Sequence, residues 1–188
     1  MNELETLKRD LATRAAAEGL LDVSYRLFDS PLGTLLLAAT EQGMVRVAFS
    51  REDFDTVLDA LAAKVGVRIL ERHAPLDGAA RQLEEYFSHR REDFTLELDH
   101  RLSSGYRLEV QLALPAITYG HTMSYKELAA STGRPAAVRA VGTACATNPL
   151  PLVLPCHRVL RSDGALGGYL GGADAKRALL DLEQGPLG

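Results

Sequence analysis

Three neighbouring residues near the C-terminal end, Cys156, His157 and Arg158, are the best suited to chemistry. They follow an apolar run rich in proline, residues 148–155, which predicts a buried strand or core segment. A thiol beside an imidazole and a guanidinium should lose its proton more easily, and the thiolate is the nucleophilic form of cysteine. The motif therefore suggests a cysteine nucleophile. A single Cys in an apolar run is more often a small core residue, so these three residues alone do not decide between the two.

Two stretches rich in small residues lie on either side of this motif. Residues 136–147 predict a smooth helix whose charged side chain is Arg139. Such a helix can lie close to a nucleic-acid groove or to another helix, and a lone Arg suits filling the space of an extruded base. Residues 164–172 contain five glycines, which permit close backbone approach to a ligand. No Gly-Lys-Ser/Thr follows them, so this is not a phosphate-binding loop.

Glu183 lies in the last turn of the helix predicted over residues 174–184, where the helix dipole disfavours a carboxylate. This position is a weak indication that Glu183 has a task other than helix stability. Chance placement is the simpler explanation when the residue is considered alone.

The order and spacing of these motifs resemble one known family. Pro155-Cys156-His157-Arg158-Val159, with Asn148-Pro149 before it and Gly167-Gly168-Tyr169 after it, resembles the active-site signature of the O6-alkylguanine-DNA alkyltransferases, also called methylated-DNA–protein-cysteine methyltransferases. The resemblance extends from about Gly105 to Glu183, and the N-terminal half resembles the family only loosely. It implies direct repair of O6-alkylguanine in double-stranded DNA by base flipping and irreversible, single-turnover transfer of the alkyl group to Cys156. It implies no cofactor and no metal. Activity on O4-alkylthymine, the alkyl-group range and cooperativity on DNA stay open.

The resemblance also implies roles for individual residues. Cys156 would be the nucleophile and permanent alkyl acceptor, with His157 taking its proton through a water and Glu183 orienting His157. Asn148 would be the hinge between the DNA-binding helix and the active-site turn, and Tyr125 would hydrogen-bond the base. The implied DNA contacts, in the minor groove, are Arg139, Tyr125, Lys126, Arg134, Tyr106 and Ser162. The implied pocket for the base consists of Val159, Tyr169, Leu170 and Gly171.

Three positions depart from the family pattern. Leu170 stands where many members have Ser, so a hydroxyl near the alkylated oxygen is lost. Ala146 replaces a basic residue, which should weaken DNA affinity. Gln111 occupies a position usually held by Trp. The chain also lacks four N-terminal Cys, so it does not resemble the zinc-bearing module of the adaptive-response regulators.

The helices and strands that the sequence predicts around the motif make an α+β protein of two domains, residues 1–103 and 104–188. The first domain would hold an antiparallel sheet, which the resemblance makes ribonuclease H-like, and the second would be mostly α and winged-helix-like. Apolar periodicity predicts helices over residues 3–19, 51–65 and 75–89, and strands over 23–28, 34–40, 44–49, 67–71 and 94–98.

In the second domain, helices are predicted over residues 107–116, 125–130, 136–147 and 174–184. Ser124 and Glu127 have the spacing of a capping box at the start of the second of these. The short helices 125–130 and 136–147, joined by a turn with Gly133, predict a helix-turn-helix whose second helix meets DNA.

Composition limits the function classes. The 188 residues are 46% hydrophobic and 24% charged, typical of a soluble globular protein, and the net charge is −4. Residues 1–104 carry 13 Lys/Arg and 19 Asp/Glu, whereas residues 105–188 carry 8 and 6, so the slightly basic half is the one expected to face DNA. Two Cys without a CxxC pair, and a charged N-terminus without an apolar leader, favour a reducing, cytoplasmic location. We expect a monomer that is not bound to a membrane.

Three other functions fit parts of the pattern. A non-catalytic lesion-binding relative typically has Trp where Cys156 stands. A winged-helix regulator with a redox-sensing thiol would leave Glu183 and the glycine loop unexplained. A Cys–His hydrolase would need an oxyanion hole and would turn over an ester many times.

Overall fold

The computed structural model describes residues 18–185, together with Leu7, Asp10, Arg14 and Ala15. Eleven of the seventeen residues in the helix predicted over residues 3–19 lie outside the described residues, and Leu7, Asp10, Arg14 and Ala15 are helical.

The N-terminal domain is built on a four-stranded sheet of order β3-β2-β1-β4, with β1 Val23–Ser30, β2 Gly33–Thr40, β3 Gly43–Phe49 and β4 Ile69–Glu71. Strands β1, β2 and β3 form the predicted antiparallel meander. Strand β4 pairs with β1 in parallel, Val23 opposite Ile69, so the sheet is mixed where a purely antiparallel one was predicted. The chain between these two strands contains a helix, as a parallel crossover requires.

Helices cover both faces of this sheet. Alternation along β2 sends Leu36 and Ala38 toward helix α1, Phe54–Lys64, and sends Leu35 and Leu37 toward helix α2, Asp77–Phe87. Helix α1 begins three residues later than predicted, because Ser50–Glu52 form a 3₁₀ turn and Ser50 does not cap the helix. The apolar cluster on the α2 side continues into the C-terminal domain, so the two domains share one core.

The outer edge of β3 is covered by two segments from elsewhere in the chain. Met44 N–H donates to the Glu97 carbonyl and Asp99 N–H donates to the Met44 carbonyl, both at 2.8 Å. Val47 N–H donates to the Pro149 carbonyl at 2.9 Å, which ties the sheet to the apolar run before Cys156. The strand predicted over residues 94–98 is wrong, because this segment makes a single bridge to β3, at Leu98.

In the described part of the C-terminal domain, up to residue 185, there are four α-helices: α3 Gly105–Ala113, α4 Tyr125–Ser131, α5 Val138–Ala146 and α6 Gly172–Gln184. The capping box is present, since Ser124 Oγ accepts from Glu127 N–H and Glu127 Oε2 accepts from Ser124 N–H. Helices α4 and α5 form the helix-turn-helix, and the short strands β5 Met123–Ser124 and β6 Val159–Leu160 pair in parallel beside it.

The predicted fold class, a sheet domain followed by a mostly helical one, is confirmed. No helix in the described part of the chain combines the length and the apolar character that crossing a membrane requires.

Candidate active site

The apolar run before Cys156 is buried, as predicted, but it is not a strand. Residues 149–154 form turns, with Leu154 N–H donating to the Leu150 carbonyl at 2.8 Å. Leu152 has a φ of 74°, a left-handed conformation that is strained for a residue with a Cβ. Asn148, fully buried, holds the run together through three hydrogen bonds. Its Nδ2 donates to the Leu154 carbonyl at 2.8 Å and to Cys156 Sγ at 3.2 Å, and its Oδ1 accepts from Leu150 N–H at 3.1 Å.

Cys156 opens a 3₁₀ turn, Cys156–Arg158, and is only 2% exposed. Burial raises the pKa of its thiol to about 11, although the hydrogen bond from Asn148 and the nearby Lys176 charge act in the opposite direction. The expectation that the sequence neighbours of Cys156 lower this pKa is therefore wrong. At neutral pH the thiol keeps its proton, so a base must remove it before Cys156 can act as a nucleophile.

His157 has the geometry of such a base. Its Nε2 lies 2.7 Å from Glu183 Oε1, and the ring is fully buried. Burial lowers the pKa of His157, so the ring is neutral near pH 7. The pKa of Glu183 is about 2, because hydrogen bonds from His157 and Arg158 outweigh the cost of its burial. An ionised carboxylate only accepts, so Nε2 carries the proton and Nδ1 carries a free lone pair. Nδ1 is buried without a hydrogen-bond partner among the described residues, which leaves that lone pair available.

Arg158 does not face the thiol. Its Nε and Nη2 bind the two oxygens of Glu183 at 2.8 and 3.0 Å, and its Nη1 donates to the Ile117 carbonyl. Glu183 also accepts from Tyr86 Oη at 2.6 Å and from Gly120 N–H at 3.3 Å. Five donors thus surround one carboxylate whose side chain is 1% exposed. The weak indication from its position in the last helical turn is explained by this network.

The cation that acts on the thiol is Lys176, on α6. The sequence motifs did not predict a role for this lysine. Lys176 is fully buried, and its Nζ donates to the Val159 carbonyl at 2.6 Å. Its charge lowers the pKa of Cys156, while burial lowers the pKa of Lys176 itself. Lys176 stands seven residues before Glu183, so the two side chains lie on the same face of the helix. This spacing is the one pattern in the sequence that could have pointed to Lys176.

Two of the four predicted pocket residues, Val159 and Tyr169, contact residues of this centre. Tyr169 packs edge-on against Phe49 at 5.5 Å and against His157 at 6.4 Å, and its hydroxyl is buried without a described partner. Leu170 and Gly171 are partly buried, and a Cβ at Gly171 would lie 2.8 Å from the Phe49 ring. The Val159 carbonyl accepts a hydrogen bond from Lys176 Nζ.

Two family models match the chain. A ribonuclease-like domain of 6-O-methylguanine DNA methyltransferase matches residues 23–100, and the DNA-binding domain of the same proteins matches residues 106–185. The methylated-DNA–protein-cysteine methyltransferase of Methanosarcina barkeri is 41% identical over 87% of this chain and 98% of its own length. The protein of that name from Mycolicibacterium paratuberculosis is 38% identical over 86% and 93%.

The chain belongs to the 6-O-methylguanine DNA methyltransferase family.

Solved structures of family members agree with this assignment. The crystal structure of Mycobacterium tuberculosis OGT in complex with DNA has a TM-score of 0.76 and 37% identity, covering 87% of this chain and 94% of that one. The methyltransferase of the hyperthermophilic archaeon Pyrococcus kodakaraensis, at 22% identity and a TM-score of 0.61, shares the fold.

The residues that the family resemblance assigns to DNA lie on and around the helix-turn-helix. Arg139 is exposed on α5, and Lys126 and Ser162 are exposed on the rim of one groove. Tyr106 is half-buried, hydrogen-bonded to Thr132 and covered by the Arg134 guanidinium at 4.4 Å, so the predicted pair Tyr106 and Arg134 forms one stacked unit.

Tyr125, at the start of α4, lies against the glycine loop. A Cβ at Gly167, where φ is 68°, would lie 2.5 Å from Tyr125 Oη, so only glycine fits there. Burial raises the pKa of Tyr125 to about 12, which keeps its phenol protonated and able to donate.

Proposed function

We propose that this protein repairs O6-alkylguanine in double-stranded DNA by moving the alkyl group irreversibly to Cys156, one turnover per chain. The observation that carries the proposal is the buried arrangement of Cys156, His157 and Glu183, in a chain that belongs to the methyltransferase family over both of its domains. We also propose that the boundary between the two domains lies between residues 103 and 104, which is supported by the family models that match residues 23–100 and 106–185.

In this mechanism Glu183 fixes the proton of His157 on Nε2, and the free Nδ1 lone pair takes the Cys156 proton through a water. The thiolate attacks the alkyl carbon, so that the S–C bond forms while the bond from that carbon to O6 breaks. The electron pair of the broken bond stays on the guanine, which ends by taking up the proton released from the thiol. Lys176 stabilises the thiolate while it exists. The thioether product is stable, and no group in the mechanism regenerates the thiol.

The flipped base would lie between Tyr125 and the loop that carries Tyr169, Leu170 and Gly171. Tyr125 donates a hydrogen bond to the base, and the Val159 carbonyl accepts one. Leu170 offers its backbone N–H where other members also have a hydroxyl. Cys156 is 2% exposed, so the groups that cover Sγ must move for the base to reach it.

DNA binding is assigned to α5, whose small residues permit close approach in the minor groove, where Arg139 fills the place of the flipped base. Lys126, Arg134, Tyr106 and Ser162 would contact the backbone. Since all three catalytic side chains come from one chain, a monomer is sufficient. The two free thiols, Cys145 and Cys156, suit the reducing cytoplasm.

The test is mass spectrometry after incubation with a duplex that contains one O6-methylguanine. We expect one added methyl group per chain, located on the peptide with Cys156. Cys156→Ala should abolish the addition, whereas the matched thiol variant Cys145→Ala should keep it, because burial raises the pKa of Cys145 even further. Methyl transfer that survives Cys156→Ala would refute the assignment.

A further inference from the structure

One donor to Glu183 comes from the N-terminal domain. Tyr86, on α2, donates its hydroxyl proton to Glu183 Oε1 at 2.6 Å, across a separation of 97 residues in the chain. Tyr86 is fully buried, and burial together with the Glu183 charge raises the pKa of its phenol, so it stays protonated and acts only as a donor toward this carboxylate.

The oxygen that Tyr86 binds is the one that binds His157. Oε1 accepts from Tyr86 Oη at 2.6 Å, from His157 Nε2 at 2.7 Å and from Arg158 Nη2 at 3.0 Å. Oε2 accepts from Arg158 Nε and from a backbone N–H. The Tyr86 hydroxyl therefore acts on the same atom that fixes the His157 tautomer.

The position of that hydroxyl is set by packing within the N-terminal domain. The Tyr86 ring lies 5.4 Å from Phe87 and 5.3 Å from Phe94, and contacts Tyr119 edge-on at 6.0 Å. Two of these three aromatic neighbours belong to the N-terminal domain. Offset and edge-on ring contacts in a buried cluster leave the phenol little freedom to turn away.

We propose that Tyr86 is a positioning residue for the alkyl transfer. It holds Glu183 Oε1 where that oxygen keeps the His157 proton on Nε2, and through this contact the N-terminal domain takes part in preparing the Cys156 thiolate. The inference rests on the proposed function, because it assigns Tyr86 a part in the same proton removal. If Tyr86 has this role, the rate of alkyl transfer depends on how the two domains dock, whereas the affinity for DNA does not.

The test is Tyr86→Phe, which removes one oxygen and keeps the ring packing. We expect the single-turnover rate of methyl transfer to fall about tenfold, as for the loss of a buried hydrogen bond to a charged group in a network, while DNA affinity stays unchanged. The ¹⁵N resonances of His157 should show a mixture of tautomers in the variant and the Nε2–H tautomer alone in the parent protein. A role confined to stability would lower the urea midpoint and leave both the rate and the tautomer as they were.

The matched control is Tyr119→Phe. The Tyr119 hydroxyl donates to the Leu182 carbonyl at 3.2 Å and does not touch Glu183. The methyl-transfer rate of Tyr119→Phe should therefore stay within about twofold of the parent rate, a smaller change than the loss of one hydrogen bond to Glu183 would cause. If Tyr86→Phe does not fold, 3,5-difluorotyrosine at position 86 keeps the ring and the hydroxyl but strengthens the donor. The His157 Nε2 proton resonance should then move.

The parent protein separates the two proposals. If it transfers no methyl group, the proposed function fails. If it does transfer, and Tyr86→Phe has the parent rate and tautomer, or difluorotyrosine leaves the His157 resonance in place, the inference about Tyr86 is overturned.

Discussion

Replacing Glu183 by Gln tests the buried network through its effect on stability at different pH values. The pKa of Glu183 is lowered from 4.5 to about 2 in the folded protein. A carboxyl group with a depressed folded-state pKa stabilises the fold fully above its unfolded pKa, and this contribution is lost as the pH falls from 4.5 toward 2. A shift of this size corresponds to about 3 kcal/mol, because each pKa unit is worth about 1.4 kcal/mol.

At pH 7 we expect Glu183→Gln to lower the free energy of unfolding by about 3 kcal/mol, since it leaves the Arg158 charge buried without its partner. Below pH 4.5 the difference between the parent and the variant should shrink, as the parent carboxylate takes up a proton and the Gln side chain does not. The assay is urea unfolding followed by circular dichroism at half-unit pH steps from 7 to 3.

The control for this titration is Glu109→Gln, which removes an exposed carboxylate paired with Arg134 at 3.4 Å. Screening by solvent makes such a pair weak, so this variant should follow the parent at every pH. Parallel stability curves for the parent and Glu183→Gln between pH 4.5 and 3 would refute the view that the carboxylate is ionised and stabilising.

Four further outcomes follow from the same contacts. Asn148→Ala should lower the free energy of unfolding by about 3 kcal/mol, one for each of three buried hydrogen bonds, as measured by urea unfolding. Lys176→Met should slow methyl transfer, because the Lys176 charge lowers the pKa of Cys156, yet it should leave stability nearly unchanged because a buried charge is also removed; a loss of stability as large as the loss of rate would contradict this. Arg139→Ala should slow transfer from a methylated duplex and leave transfer from a free alkylated guanine base as it was, as rapid-quench assays on both substrates can decide. Since burial lowers the pKa of His157, the transfer rate should hold from pH 7 down to below 6.5 before it falls, and a fall already centred at 6.5 or above would contradict a buried neutral ring.

Much of the fold followed from local patterns. The strands β1 to β3 could be placed because their apolar runs are separated by the turn residues Pro31-Leu32-Gly33 and Glu41-Gln42-Gly43. The start of α4 could be placed because Ser124 and Glu127 bond each other across three residues. These features depend on neighbours within a few positions, which the sequence lists directly. The parallel pairing of β4 could not be placed in this way, because it depends on where the chain returns after α1.

The motif around Cys156 pointed to a nucleophile and to one family, but its chemistry is decided by groups distant in the chain. The sequence suggested that His157 and Arg158 lower the Cys156 pKa, whereas the folded protein raises it, since burial disfavours the anion and Arg158 binds Glu183 instead. Lys176 reaches the Val159 carbonyl only because α6 packs against the turn that carries Cys156. Tyr86 reaches Glu183 only because α2 docks on the C-terminal domain. Residue types and short spacings are properties of the sequence, whereas burial, and the pKa values that burial shifts, exist only once segments from both halves of the chain are packed together.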